Sequence, residues 1–389
     1  MRSARRCGRI RFEVAQIVRA HRAELEQLIE LTGSQKRVLT AIALCRTAAL
    51  GGHLDVCTAC GLEHPSYNSC RDRHCPKCQS LAQERWIAAR KSRILPTAHW
   101  HVVFTLPSQL RPLAMYRPKL IYDALFHAAS QTLLQLGRSR LGAELAVTTV
   151  LHTWTRELKL HPHLHAIVSA GGLWLGGQRW IAAGRKYLFP VQVIGELLRG
   201  KMLQSLRELH DSGQLDGFDE FQDPQGFESL MSKLAAQSWV VYAKKPFRRP
   251  GHVLQYLGRY THRVGISNSR LLDVTDQHVT FATKNGKTTT VSPVEFLKRF
   301  VQHVLPPSFV KIRHYGLLAG RNVDTKLERA RELLLASRPT EACDTYIPTS
   351  CYEHLRVLTG CDVNVCPRCG GIIEHRPLPR PQSRSPPAP

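Results

Sequence analysis

The segment His161-Pro162-His163-Leu164-His165-Ala166-Ile167-Val168 places an imidazole at every second position. Successive side chains of an extended backbone point to opposite faces, so His161, His163 and His165 share one side while Leu164, Ala166 and Val168 occupy the other. Such a strand buries its apolar side in a core and offers its histidine side to a metal ion. Imidazole donors suit zinc, manganese or nickel better than magnesium, so these residues alone do not choose the ion.

Outward from this strand, Ala146–Trp154 is rich in Val, Thr and Leu and is predicted to pair beside it. The histidine strand runs into Gly171-Gly172, with a hairpin near Gly176-Gly177. Trp100–Leu106 and Trp239–Ala243 read as further strands, and Lys119–Leu136 and Val191–Leu209 as helices. Asp211–Gln225 reads as a polar loop. Later, Arg270–Thr275 and His278–Ala282 are predicted strands, and Asn285-Gly286 turns the chain into a third at Lys287–Val291. Ser292-Pro293-Val294-Glu295 has the form of a capping box with Pro at the first helical position, so a helix should start there and run to about Val304.

The 389 residues suffice for two or three domains, and 43% apolar residues place the chain among globular proteins. A net charge of +24 favours a polyanionic partner, with nucleic acid foremost, because each Lys or Arg set on a phosphate releases condensed counterions. A long apolar run and a secretory signal are both missing, so a membrane partner is not expected and the expected location is the cytoplasm. In that compartment twelve cysteines read as metal ligands and buried thiols, not as disulfides.

Cys57-x-x-Cys60 and Cys75-x-x-Cys78 have the spacing of two knuckles enclosing one tetrahedral, structural zinc, with Cys70, His53, His64 and His74 as nearby substitutes. Arg71, Arg73 and Lys77 surround this module and are candidate DNA contacts, although a solvated surface explains them nearly as well. The predicted helix Gln79–Leu95 leaves it directly. Near the C-terminus, Cys366-Pro367-Arg368-Cys369 forms a third knuckle, and Cys361, Cys366 and Cys369 are candidates for a second zinc. Cys351, Cys343, His354 and His375 could also complete that site.

In Tyr256-Leu257-Gly258-Arg259-Tyr260-Thr261-His262-Arg263 the two phenols stand four apart and share a face if the segment is helical. The plain reading is two packed aromatic residues. The dense charge at Arg248, Arg249, Arg259 and Arg263 favours a second reading, in which DNA phosphate approaches the phenols. A phenol with a pKa near 10 is a poor nucleophile at neutral pH, so it needs a polarised phosphate in line and positive charge for its phenolate.

Together these residues resemble a known set. His163-Leu164-His165 resembles the HUH motif of rolling-circle endonucleases, and Tyr256 with Tyr260 in YLGRYTHRVGISNSRL resembles the two-tyrosine motif of insertion sequence 91 family transposases. CTACGLEHPSYNSCRDRHCPKCQ, LHTWTRELKLHPHLHAIVSAGGL and IRHYGLLAGR are similar to that family's zinc module, metal strand and a late catalytic segment, in the same order. The resemblance implies an α+β protein in which a helical and zinc-binding N-terminal module precedes an HUH nuclease domain with a central antiparallel sheet flanked by helices. It further implies magnesium or manganese on His163 and His165, and Tyr256 and Tyr260 as nucleophiles on single-stranded DNA at transposon ends. The third ligand does not follow from the motif: His161 is the local candidate, with Asn268 and His262 as others. No P-loop is present, so unwinding would fall to host replication factors.

The expected divisions are a basic helical lead-in over 1–52, the zinc module and its exit helix over 53–95, and the catalytic domain over 96–335. A Cys-rich segment over 336–375 and a disordered basic tail over 376–389 complete the chain. Two rival functions share parts of this pattern: a plasmid replication initiator or relaxase with the same chemistry, and a non-catalytic zinc-dependent DNA-binding regulator.

Overall fold

The computed structural model describes residues 11–91, 93–184, 187–221, 223, 225–247, 265–336 and 350–380. Helices α1 (Val14–Leu28) and α2 (Gly33–Leu44) precede β1 (Gly52–Cys57), β2 (Glu63–Tyr67) and α3 (Gln79–Lys91). β3 (His99–Thr105), α4 (Arg111–Tyr116) and α5 (Pro118–Leu141) lead to β4 (Ala143–Trp154), β5 (Leu160–Trp174) and β6 (Trp180–Ala182). Then come α6 (Val191–Asp211), α7 (Gly226–Ala236) and β7 (Val241–Phe247). Beyond residue 264 the order is β8 (Leu271–Val274), β9 (Val279–Ala282), β10 (Thr288–Val291), α8 (Pro293–Val301), β11 (Ile312–Gly316), α9 (Glu328–Ala336), α10 (Cys351–Thr359) and β12 (Ile373–Leu378).

The protein is α+β. Its central sheet has the order β11-β4-β5-β3-β7, every neighbour antiparallel, with β6 pairing the far end of β5. The alternation read from the sequence assigns its two faces. Leu164, Ala166 and Val168 join Val102, Phe104, Val147 and Leu151 in the main core, against Leu125, Phe126 and Leu133 of α5 and Leu198 and Met202 of α6. The opposite face carries the histidines. There Val150 and Ile167 meet Trp86 of α3, so that helix roofs part of the histidine face.

A second core joins α1, α2, the β10-β9-β8 sheet and α8 around Leu39, Phe281, Phe296 and Phe300. Ser292 caps α8 as expected, accepting the Glu295 N–H at 3.2 Å, with Pro293 in the first turn. A third sheet, β12-β1-β2, is built from segments far apart in sequence. It corrects one expectation: Arg376, Pro377 and Leu378 are not tail but strand, paired with Leu54, His53 and Gly52. The backbone of β1 offers an edge that those residues complete, and this outweighs their basic, Pro-rich composition. Among the described residues no helix is long and apolar enough to cross a membrane.

Candidate metal centre and thiolate clusters

Antiparallel pairing puts His152 of β4 directly opposite His163 of β5. Together with His165 they form a three-imidazole group whose ligand atoms all lie within 4.8 Å of one another. The third member is therefore His152. His161, the candidate taken from the strand's own alternation, is instead turned toward the Arg111 guanidinium, 3.4 Å from its Nδ1. Asn268, another candidate, accepts the Val14 N–H at the start of α1. His262 lies outside the described residues.

Neighbouring groups fix the imidazoles. His163 Nδ1–H donates to the His161 carbonyl at 2.7 Å, leaving Nε2 as its lone-pair nitrogen. His165 Nδ1 is 2.8 Å from His101 Nε2, and the two rings stack with centroids 5.0 Å apart. His152 stacks on Trp154 at 4.8 Å. Partners of this kind hold a ligand's tautomer and ring plane. Burial holds the His163 pKa down to about 4 and pushes that of His165 lower still, helped by the adjacent His152, so both rings are neutral and able to donate at physiological pH. Burial, and then Lys244, bring His101 to about 3. The three imidazoles could hold a divalent metal ion, and three protein ligands would leave positions for a phosphate.

Near the triad, Trp86, Arg90, Arg93, His99, Thr148 and His314 line a narrow cleft of about 30 Å³ between α3 and the sheet, whose remaining lining is apolar. Arg90 Nε–H donates to His314 Nε2, and His314 Nδ1–H to the Thr148 hydroxyl, so aromatic, cationic and neutral polar groups share one wall. Tyr256, Tyr260, Arg248, Arg249, Arg259 and Arg263 lie outside the described residues.

The cysteines assemble differently from the expected pairing. Cys75 and Cys78 close with Cys70 and Cys45, while Cys57 and Cys60 close with Cys366 and Cys369. The single site of Cys57, Cys60, Cys75 and Cys78 is thus replaced by two clusters, and Cys361 belongs to neither. The reason lies in the paths taken: Cys45 ends α2, at the core where Cys75 is buried, whereas β1 carries Cys57 away to pair with β12. In a four-thiolate zinc site, bonds of ~2.3 Å place the sulfurs about 3.8 Å apart. Cys45–Cys78 and Cys70–Cys78 measure 3.3 and 3.6 Å, so the first cluster fits the ion.

The basic residues around the module also divide. Arg73 is half-buried and donates to the carbonyls of Phe309 at 2.6 Å and Pro306 at 3.1 Å, which gives it a clamping role within the protein. Lys77 pairs with Glu13 at 2.5 Å. Arg71 is exposed, with a left-handed φ of 56°. His74, a nearby substitute ligand, is occupied between Asp72 and the Leu305 N–H.

Sequence reading missed His152, Cys45 and the partnership of Cys57 with Cys369. For His152 the signal was present, since its strand was expected to lie beside the histidine strand; only the register was lacking. For the cysteines the usable signal was the glycine in Cys57-Thr58-Ala59-Cys60-Gly61 and Cys366-Pro367-Arg368-Cys369-Gly370, absent after Cys78. Cys45 stands alone in sequence and carried none.

Two family models match the chain: one described as a transposase zinc-binding domain over residues 17–106, the other as a putative transposase over residues 146–326. The putative transposase y4qJ of Sinorhizobium fredii (strain NBRC 101917 / NGR234) is 42% identical over 369 residues, covering 92% of each chain. The transposase for insertion sequence element IS801 of Pseudomonas savastanoi pv. phaseolicola is 30% identical over 354 residues, covering 85% of this chain and 81% of that one. No solved structure matches. The zinc-binding domain ahead of a sheet bearing a histidine triad, in a chain so similar to these relatives over nearly its whole length, belongs to the insertion sequence 91 family of transposases.

Proposed function

We propose that this transposase nicks and rejoins single-stranded DNA through 5′-phosphotyrosine intermediates in rolling-circle transposition. The observation that carries the reading is the convergence of His152, His163 and His165 on the histidine face of the sheet. His152, His163 and His165 would hold a divalent cation, manganese or magnesium, which would supply Lewis-acid polarisation of a non-bridging phosphate oxygen. The imidazoles fix where the scissile phosphate sits, and His101 and Trp154 keep two of their planes in place. A phenol oxygen of Tyr256 or Tyr260 attacks phosphorus and loses its proton to water. The bond to the 3′-oxygen breaks, and that oxygen leaves as a hydroxyl once protonated. The phosphodiester's energy is kept in the tyrosyl ester, so a 3′-hydroxyl can reverse the step without ATP. Two phenols allow one to retain the first strand while the other cleaves.

Two features support this assignment. Gly265, five residues after Tyr260, is packed so that an added Cβ would meet Trp154 Cγ at 3.7 Å, and Trp154 stacks on His152. α3 and the turn after it place Trp86, Arg90 and Arg93 on the same side of the sheet as the histidines, side chains suited to stacking on a base and pairing with a phosphate. Single-stranded DNA is therefore the proposed partner, with host factors supplying unwinding.

The test is incubation of the protein with end-labelled single-stranded DNA and manganese, resolved under denaturing conditions. A protein–DNA adduct that disappears with chelator and in the Tyr256→Phe, Tyr260→Phe double variant supports the reading. DNA binding without any adduct across transposon-end substrates would favour the non-catalytic regulator.

A further inference from the structure

The matched zinc-binding domain ends at residue 106, yet two of its cysteine pairs do not share a cluster. Cys57 Sγ lies 3.4 Å from Cys369 Sγ and Cys60 Sγ 3.8 Å from Cys366 Sγ, across sequence separations of 312 and 306 residues. We propose that these four thiolates hold a second zinc ion, in a ribbon split between the N-terminal module and residues 361–378, so that the module is incomplete without the C-terminal segment.

The two halves are built alike. Each is a Cys-x-x-Cys-Gly knuckle in which the glycine N–H returns to the first cysteine's carbonyl: Gly61 to Cys57 at 3.0 Å, Gly370 to Cys366 at 2.9 Å. Both glycines are left-handed, with φ of 65° and 77°, a conformation that disfavours side chains. Backbone amides point at the sulfurs: Cys60 N–H at Cys57, Arg368 N–H at Cys366, and Gly371 N–H at Cys369, at 3.4 to 3.5 Å. Such donors stabilise negative charge on sulfur and have no use beside neutral apolar thiols.

The backbone at Gly371 presses on the cluster itself. A Cβ there would stand 3.2 Å from Cys57 Sγ and 2.8 Å from Ala59 Cβ. The strand ladder then carries the junction onward, with Cys57 paired to Ile373 and Thr58 N–H donating to the Ile372 carbonyl at 3.0 Å. α10, from the same C-terminal segment, packs on α3, the helix that roofs the histidine face. The second ion would therefore fasten to the N-terminal module the C-terminal segment whose α10 packs on α3. The site also differs from the first in setting: Cys45 and Cys75 are buried within a core, whereas Cys369 is exposed.

The experiment is cobalt(II) substitution of the full chain, read by thiolate-to-cobalt charge-transfer absorbance, to which the histidine triad contributes nothing. The parent should bind two thiolate-coordinated ions. Cys366→Ser/Cys369→Ser and Cys57→Ser/Cys60→Ser should each lose half the absorbance, and the quadruple variant should lose no more than either pair. Far-UV circular dichroism checks that the variants fold. Should a serine pair unfold the chain, Cys369→His keeps a donor and should retain both ions with absorbance reduced by about one thiolate in eight. Full absorbance in Cys366→Ser/Cys369→Ser, or losses from the two pairs that add, would overturn the proposal. So would intact-mass measurement of the unreduced protein showing two disulfides and no second zinc.

Discussion

Acidification should destabilise this protein through its buried neutral histidines, of which His99 and His303 stand outside the metal-ligand set. His99 and His303 are both buried and both held neutral. His99 Nδ1–H donates to the Thr97 carbonyl at 2.9 Å, while His303 Nε2–H donates to the Leu158 carbonyl at 3.1 Å and its Nδ1 accepts from the Thr153 hydroxyl. Burial brings each from 6.5 down to about 4. Between those two pH values the unfolded chain binds protons that the native protein does not. Their contribution is therefore complete above pH 6.5 and lost as pH falls toward 4. The displacement corresponds to about 3 kcal/mol per imidazole, and two of them approach the total stability of an ordinary domain. The measurement is the urea midpoint, followed by tryptophan fluorescence, at half-unit steps from pH 7.5 to 4. The parent should lose stability steeply below pH 6.5. His303→Gln should be weaker at pH 7.5 yet flatter below 6.5, its slope reduced by up to ~1.4 kcal/mol per pH unit, one proton's worth. Protonation of the thiolate clusters acts on parent and variant alike and cancels in the comparison. Equal slopes in parent, His303→Gln and His99→Gln would refute the reasoning.

His152→Ala should abolish metal-dependent cleavage while leaving single-stranded DNA binding within a few-fold of the parent, checked by a nicking assay and by fluorescence anisotropy; parallel loss of both would count against the division of roles. Manganese should activate at lower concentration than magnesium because all three protein donors are imidazoles, and titrating each ion into chelated enzyme reads this directly. Arg73→Ala strips two hydrogen bonds from the Pro306 and Phe309 carbonyls and should lower stability by about 2 kcal/mol without changing the salt dependence of DNA binding, whereas Arg71→Ala should reduce that salt slope and leave stability unchanged.

How far the sequence could be read depended on whether a feature was local. Alternation along residues 161–168 assigned both faces of β5, because side-chain period is a property of the strand itself. The Ser292 cap and the Asn285-Gly286 turn were legible for the same reason. The metal centre was only half legible: two ligands share one strand, but His152 enters through cross-strand register, which no single segment encodes. Spacing misled for the cysteines. Cys57/Cys60 and Cys75/Cys78 are neighbours in sequence, yet antiparallel pairing of β1 with β12 brings in a partner more than 300 residues away, and composition hid β12 because its Pro and Arg resemble a tail. The helix Gly226–Ala236 went unread beside a polar loop, although Phe227, Leu230, Met231 and Leu234 form its buried stripe.

In the proposed mechanism the imidazoles of His152, His163 and His165 serve a tyrosine nucleophile in residues 256–260. The most direct test of that mechanism is peptide mass spectrometry of the protein after reaction with single-stranded transposon-end DNA and nuclease trimming. A nucleotide adduct on Tyr256 or Tyr260, formed by the parent and absent from His152→Ala, is the predicted result. An adduct confined to another residue, or one formed equally by His152→Ala, would contradict it.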